Sequence, residues 1–117
     1  MTDEEMELTC FSLITAAGAA KSLYMQAVQE ASNGNFDAAE KCIKDADEAL
    51  IKGHAPHTEM IQKEAAGEHT PISILLVHAE DQMVSTETFK VMAQQAIALY
   101  RRIHALEAKL GEDGSPC

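Results

Sequence analysis

Two short breaks divide this chain into three long segments, and this division constrains the fold most. The first break is Asn33-Gly34-Asn35, a run of residues that tolerate positive φ and end helices. The second is Gly67-Glu-His-Thr-Pro71, where Thr70 can cap a helix and Pro71 suits its first turn. Each segment is far too long for a strand, and each carries apolar residues at helical spacing. The side chains available agree. The hydrophobic fraction is 46%, yet only 4% of residues are aromatic and none is Trp. A core of Ala, Leu, Ile, Val and Met favours thin, closely packed helices over a broad sheet. The expected fold is all-α: a three-helix antiparallel up-down bundle forming a single domain over residues 1–117.

The first helix is expected from Glu4 to Ser32. Asp3, Glu4 and Glu5 suit the positive end of its dipole. Its apolar side is expected to hold Leu8, Phe11, Ile14 or Thr15, Gly18, Leu23, Met25 and Val28. The run Thr15-Ala-Ala-Gly-Ala-Ala-Lys-Ser22 is made of unusually small residues and permits close helix approach. The second helix starts near Asn35 or Phe36, with Phe36, Ala39, Cys42 or Ile43, Ala46 and Leu50 as its stripe. Gly53 and Pro56 predict a kink after Lys52, with helix resuming to about Ala66. The third helix is expected from Pro71 to Leu110. It has two apolar sides, one with Ile72, Leu75, Leu76, Ala79 and Met83, the other with Ile74, Val77, Asp81 and Val84. A helix apolar on two sides packs within its subunit and against neighbours. A small chain with small core residues gains from such an assembly. Residues 111–117 read as a polar, frayed tail.

Charge and cysteine usage narrow the partners and the compartment. The net charge is −10, the wrong sign for nucleic acid or an anionic membrane surface. Basic protein partners are steered toward such a surface. Cys10, Cys42 and Cys117 have no C-x-x-C spacing and are odd in number, which suits a reducing compartment. No signal-peptide pattern precedes the first helix. The longest apolar run, Ile74–Val77, is too short to span a bilayer. A cytoplasmic protein without direct membrane insertion is expected.

The chemistry concentrates in Ile72–Asp81. His78 ends an apolar run, and Asp81 follows three residues later on the same helical face. An imidazole near neutral pH can serve as a reversible nucleophile, or it can be a hydrogen-bonded core residue. Asp81 can bind a cation or simply accept a hydrogen bond. His54 and His57, three apart near Pro56, offer a metal pair or a solvated kink. His69, in a turn, and His104, near a helix end, are expected to be exposed. Methionines at helical positions read as core filler. Asp37, Glu40, Asp45 and Glu48 read as a solvated face. Gly34-Asn-Phe-Asp-Ala-Ala-Glu40 also resembles a helical-repeat entry, but no second copy exists at the required period.

Four segments together resemble the IIA component of the lactose/cellobiose class of the bacterial phosphoenolpyruvate-dependent sugar phosphotransferase system. They are Ala16-Ala-Gly-Ala-Ala-Lys-Ser22, Gly34-Asn-Phe-Asp-Ala-Ala-Glu40 with the run to Leu50, Ala55-Pro56-His57-Thr58 leading to Gln62-Lys-Glu-Ala65, and Leu75-Leu-Val-His-Ala-Glu-Asp-Gln-Met83. The last is the most specific. The resemblance implies that His78 accepts a phosphoryl group from the phosphocarrier HPr. It then implies transfer to a cysteine of a IIB component, which works with a membrane IIC component. It implies a homotrimer, a nine-helix bundle in which three copies of Asp81 share a divalent cation, most plausibly Mg²⁺. Gln82, on the next turn, could help hold the phosphoryl group. Relatives commonly carry Gln at the position of Glu80 and His at the position of Gln82. Glu80 therefore adds negative charge beside a phosphate site. Two other functions fit helices of this kind: a non-catalytic interaction module, and a metal-binding bundle built on His54, His57 and a carboxylate.

Overall fold

The computed structural model describes residues 2–112. Three helices account for nearly all of them: α1 (Asp3–Ser32), α2 (Phe36–Ala65) and α3 (Ile74–Glu112). They form an antiparallel up-down rod of 67 × 21 × 20 Å. No strand occurs among the described residues. α1 packs along both other helices, whereas α2 and α3 approach each other closely at few points. Of the tail expected over 111–117, Gly111 and Glu112 continue α3, and residues 113–117 lie outside the described residues.

α1 begins at Thr2, whose Oγ1 accepts the Glu5 N–H at 3.1 Å. Asp3, Glu4 and Glu5 follow in its first turn, where carboxylates offset the helix dipole. The helix ends where Gly34 takes φ +80°. Its buried face is Cys10, Leu13, Ala17, Ala20, Tyr24, Ala27 and Ala31. The expected face holds in part: Ile14, Leu23 and Val28 pack against the core, and Ala17 and Ala20 come from the expected small-residue run, whereas Leu8, Phe11, Thr15, Gly18 and Met25 are exposed. The cause is the central position of α1. A helix clasped on two sides favours residues small enough for close backbone approach, so five of its alanines go inward, with Leu13 and Tyr24 as the two large side chains buried among them. α1 is also long and apolar enough to cross a membrane by length and composition. Here it is the central helix of the bundle, packed against both others.

α2 buries Ala39, Cys42, Ile43, Ala46 and Leu50, the stripe its periodicity predicts. It does not break at Gly53–Pro56 and runs on to Ala65. Pro56 cannot donate to the carbonyl four residues earlier, but packing holds the turn. A Cβ at Gly53 would stand 2.9 Å from Met83 Sδ and 3.0 Å from Ala16 Cβ, so three helices converge there. Met60 is buried one turn beyond the proline and keeps the stripe continuous. Met83 is likewise core, while Met25 and Met92 are exposed, so core filling accounts for only some methionines.

α3 starts at Ile74, three residues later than Thr70-Pro71 suggested. Ser73 is the cap: its Oγ accepts the Leu76 N–H at 3.1 Å. The Thr70 N–H is turned back to Glu64 Oε2 at 3.0 Å, which ties the loop to α2. Ile72 therefore precedes the helix and is exposed. Leu76, Ala79, Met83, Thr86, Ala93 and Ile97 face inward. Ile74, Val77, Asp81, Val84 and Val91 face outward and are exposed, so the helix has the two sides its sequence shows. Near its far end, the His104 ring meets Phe36 edge-on at 5.5 Å and its Nε2 donates to the Ser32 carbonyl at 3.1 Å. His104 is thus half-buried rather than exposed, because it seals the α1–α2 turn.

Candidate functional site

His78 begins the second turn of α3, on the outward side, and is exposed. Asp81 is exposed one turn further along, and Gln82 is half-buried four residues after His78. The structure therefore groups the three predicted residues on one stretch of α3. Among the described residues, none of their side chains is engaged in a hydrogen bond or ion pair. His78 is not a core histidine, which removes one of its two expected roles. Its imidazole is free to meet a partner from solvent.

The opposite side of the same turns faces α2. Glu80 pairs with His57 Nδ1, and both side chains are largely shielded, at 29% and 12% exposure. Glu80 Oε1 and His57 Nδ1 are both buried without a hydrogen bond, so the pair is an approach of the two groups and an ion pair only when the imidazole is protonated. One rung along, His54 Nδ1 lies 3.5 Å from Glu87. Further on, Lys90 pairs with Asp47 at 3.0 Å and Arg101 with Glu40 at 3.1 Å. Four polar rungs thus line the α2–α3 seam, where apolar packing is sparse. His57 is not in a solvated kink, because the unbroken α2 turns it toward α3. His54 and His57 each face a carboxylate, and no group of three or more metal-ligating side chains converges among the described residues. His69 is exposed and lies 3.2 Å from Glu64. The Thr70 N–H, and then His69, hold the Glu64 carboxyl below its usual range.

Asp47 is absent from the residues that sequence periodicity picks out, yet it joins all three helices. Tyr24 of α1 is fully buried and donates to Asp47 Oδ1 at 2.5 Å, and Lys90 of α3 reaches the same oxygen. Burial, then the Asp47 bond, push the Tyr24 phenol well above its ordinary value. Burial also raises the thiols of Cys10 and Cys42, and nearby carboxylates add to it: Glu80 and Glu7 for Cys10, Glu30 for Cys42. Neutral, buried thiols are poor nucleophiles, so the exposed imidazole is the better candidate for group transfer.

Solved structures and sequence relatives agree with this fold. The PTS cellobiose-specific enzyme IIA from Bacillus anthracis superimposes with TM-score 0.81 at 40% identity, over 90% of this chain and 94% of that one. PtcA from S. mutans gives TM-score 0.82 at 31% identity, over 86% and 99%. The lichenan-specific phosphotransferase enzyme IIA component of Bacillus subtilis is 42% identical across 86% of this chain and 92% of its own length. The lactose-specific EIIA component of Lactococcus lactis is 33% identical across 87% and 97%. Residues 8–101 match the sequence model of the family described as PTS system, Lactose/Cellobiose specific IIA subunit. The chain belongs to that family, and it is a phosphotransferase component of a sugar phosphotransferase system.

Proposed function

We propose that this protein is a cytoplasmic phosphoryl carrier that takes phosphate from HPr on His78 and passes it to a cysteine of a IIB component. The observation that carries this reading is the outward, unengaged imidazole of His78 on α3. Neutral imidazole attacks phosphorus directly. A new P–N bond forms at His78 as the bond to the HPr donor breaks. The IIB thiolate then attacks, an S–P bond forms, the P–N bond breaks, and His78 returns as free imidazole. Such loose, in-line transfers require mainly positioning and charge compensation. The nearby N-terminal turn of α3 supplies partial positive charge, and Gln82 supplies an amide donor. The names of the lichenan- and cellobiose-specific relatives favour a β-linked sugar as the cargo of the uptake chain.

The working unit in this reading is a homotrimer built on α3, giving nine helices. Its outward line of Ile74, Val77, Val84 and Val91 continues as exposed Leu99, Ile103, Leu106 and Leu110. Copies of the same line cover one another most economically. Asp81 is the carboxylate within it, and among the described residues no group of three or more metal-ligating side chains gathers in one chain. A divalent cation such as Mg²⁺, shared by three Asp81 side chains, would offset their mutual repulsion with hard oxygen ligands. Its role would be structural.

The test is reconstitution with phosphoenolpyruvate, enzyme I and HPr. The wild type is expected to gain one acid-labile, base-stable phosphate and to lose it on addition of IIB. His78→Ala is expected to keep its helical spectrum and accept none. Phosphate uptake by that variant at the normal rate would contradict the assignment.

A further inference from the structure

Between Asp81 and Arg101, α3 has only two charged residues, Glu87 and Lys90. Both turn to α2, Glu87 toward His54 and Lys90 onto Asp47. The outward face of this stretch is therefore neutral, in a chain with 24% charged residues and a net charge of −10. Val84, Val91 and Leu99 stand on it, each more than half exposed. Thr88 and Gln95 alternate with them at steps of three and four residues and are also exposed. Two strongly acidic chains approach most closely where neither presents charge, and the matching neutral face is that of another α3.

In such a contact the two polar residues differ. Thr88 can turn its hydroxyl to the carbonyl one turn back, as Thr9 does to Glu5 at 2.9 Å. The Gln95 amide carries donors and an acceptor, and among the described residues it engages none of them within its own chain. Once covered, it must find partners on another copy or leave polar atoms buried and unpaired. We infer that Gln95 forms a polar layer inside the α3 seam, where three amides, one per chain, each donate to the next and close a ring that selects a three-chain assembly. This role rests on the trimer reading. The layer lies two seven-residue steps from Asp81 on the same line, with Thr88 between them. A lone polar layer of this kind fixes the number of partners at some cost in stability, because arrangements that separate the amides bury them unpaired.

Gln94 supplies the control: it is exposed, on the same turn, and about 100° round the helix from Gln95. The experiment is sedimentation equilibrium of the full chain at neutral pH with Mg²⁺, over a concentration series. Gln95→Glu and Gln94→Glu add the same charge and keep helix propensity, so the single chains fold alike. Gln95→Glu gathers three carboxylates and is expected to raise the concentration for half-dissociation on the order of a hundredfold or more, while Gln94→Glu stays within about threefold of wild type. Gln95→Leu is expected to associate at least as tightly as wild type and to populate assemblies besides the trimer. Equal dissociation of the two Glu variants overturns the inference, as does a Gln95→Leu protein that remains a single trimer. A monomeric wild type at micromolar concentration overturns the trimer reading and the inference with it, whereas the first two outcomes in a trimeric wild type strike the inference alone.

Discussion

Replacing Tyr24 by phenylalanine deletes one hydroxyl from the point where all three helices meet. The ring stays in the buried cluster, so the loss isolates the Tyr24–Asp47 hydrogen bond. That bond is 2.5 Å long and its acceptor also binds Lys90 at 3.0 Å. A hydrogen bond to a charged acceptor contributes about 1.5–3 kcal/mol. The Asp47 side chain is 36% exposed, so water replaces part of the loss, and about 1–2 kcal/mol is expected. Against a typical total of about 5–15 kcal/mol, this is easily measured. In urea at pH 7 and fixed protein concentration, the midpoint should fall with the slope unchanged. A second signature lies at alkaline pH. The folded phenol has a raised pKa, so its contribution is complete below the unfolded value of about 10 and is lost as pH rises beyond it. The wild type should lose stability in that range, and Tyr24→Phe should lack that component. An unchanged midpoint, or an identical alkaline loss, would refute the three-helix junction as a source of stability.

Three further predictions concern assembly and the thiols. Sedimentation equilibrium at micromolar concentration should return three times the chain mass, and a monomer would rule out the α3-centred trimer. Asp81→Leu should abolish bound divalent cation while keeping the trimer, because it replaces gathered charge with apolar packing of similar size. Retention of the cation would show that Asp81 is not its ligand, and dissociation of the trimer would show that the cation is more than a neutralising ion. In a Cys117→Ser background, Cys10 and Cys42 should react with a thiol reagent at pH 8 only as fast as the protein unfolds, since burial keeps both neutral. A rapid phase in native buffer would contradict that.

The helices were legible because their punctuation is local. Gly34 and Gly67 take φ of +80° and +90°, the conformations their turns require. The two sides of α3 were legible too, since an inward stripe and an outward stripe repeat separately along it. The buried face of α1 was legible only in part, through its small-residue run and through Ile14, Leu23 and Val28. Apolar weight favours Leu8, Phe11 and Met25, but a helix packed on two sides selects for closeness, and alanines provide it. The start of α3 was misplaced because Thr70-Pro71 is the stronger local cap pattern. Only the folded loop shows Glu64 drawing Thr70 back and leaving Ser73 to cap. His78, Asp81 and Gln82 stand in one segment of chain, which the family resemblance singles out, and they share one stretch of α3. The His57–Glu80 pair could not, because its members are far apart in sequence and meet only when α2 runs unbroken past Pro56.

The most direct test of the account is to locate the phosphate. Wild-type protein, phosphorylated by phosphoenolpyruvate, enzyme I and HPr, is digested at alkaline pH, where phosphohistidine survives, and its peptides are sequenced by mass spectrometry. The prediction is one phosphate per chain, on the imidazole of His78, removed when IIB is added before digestion. Phosphate on His54, His57, His69 or His104, or none at all while HPr remains fully charged, would contradict it.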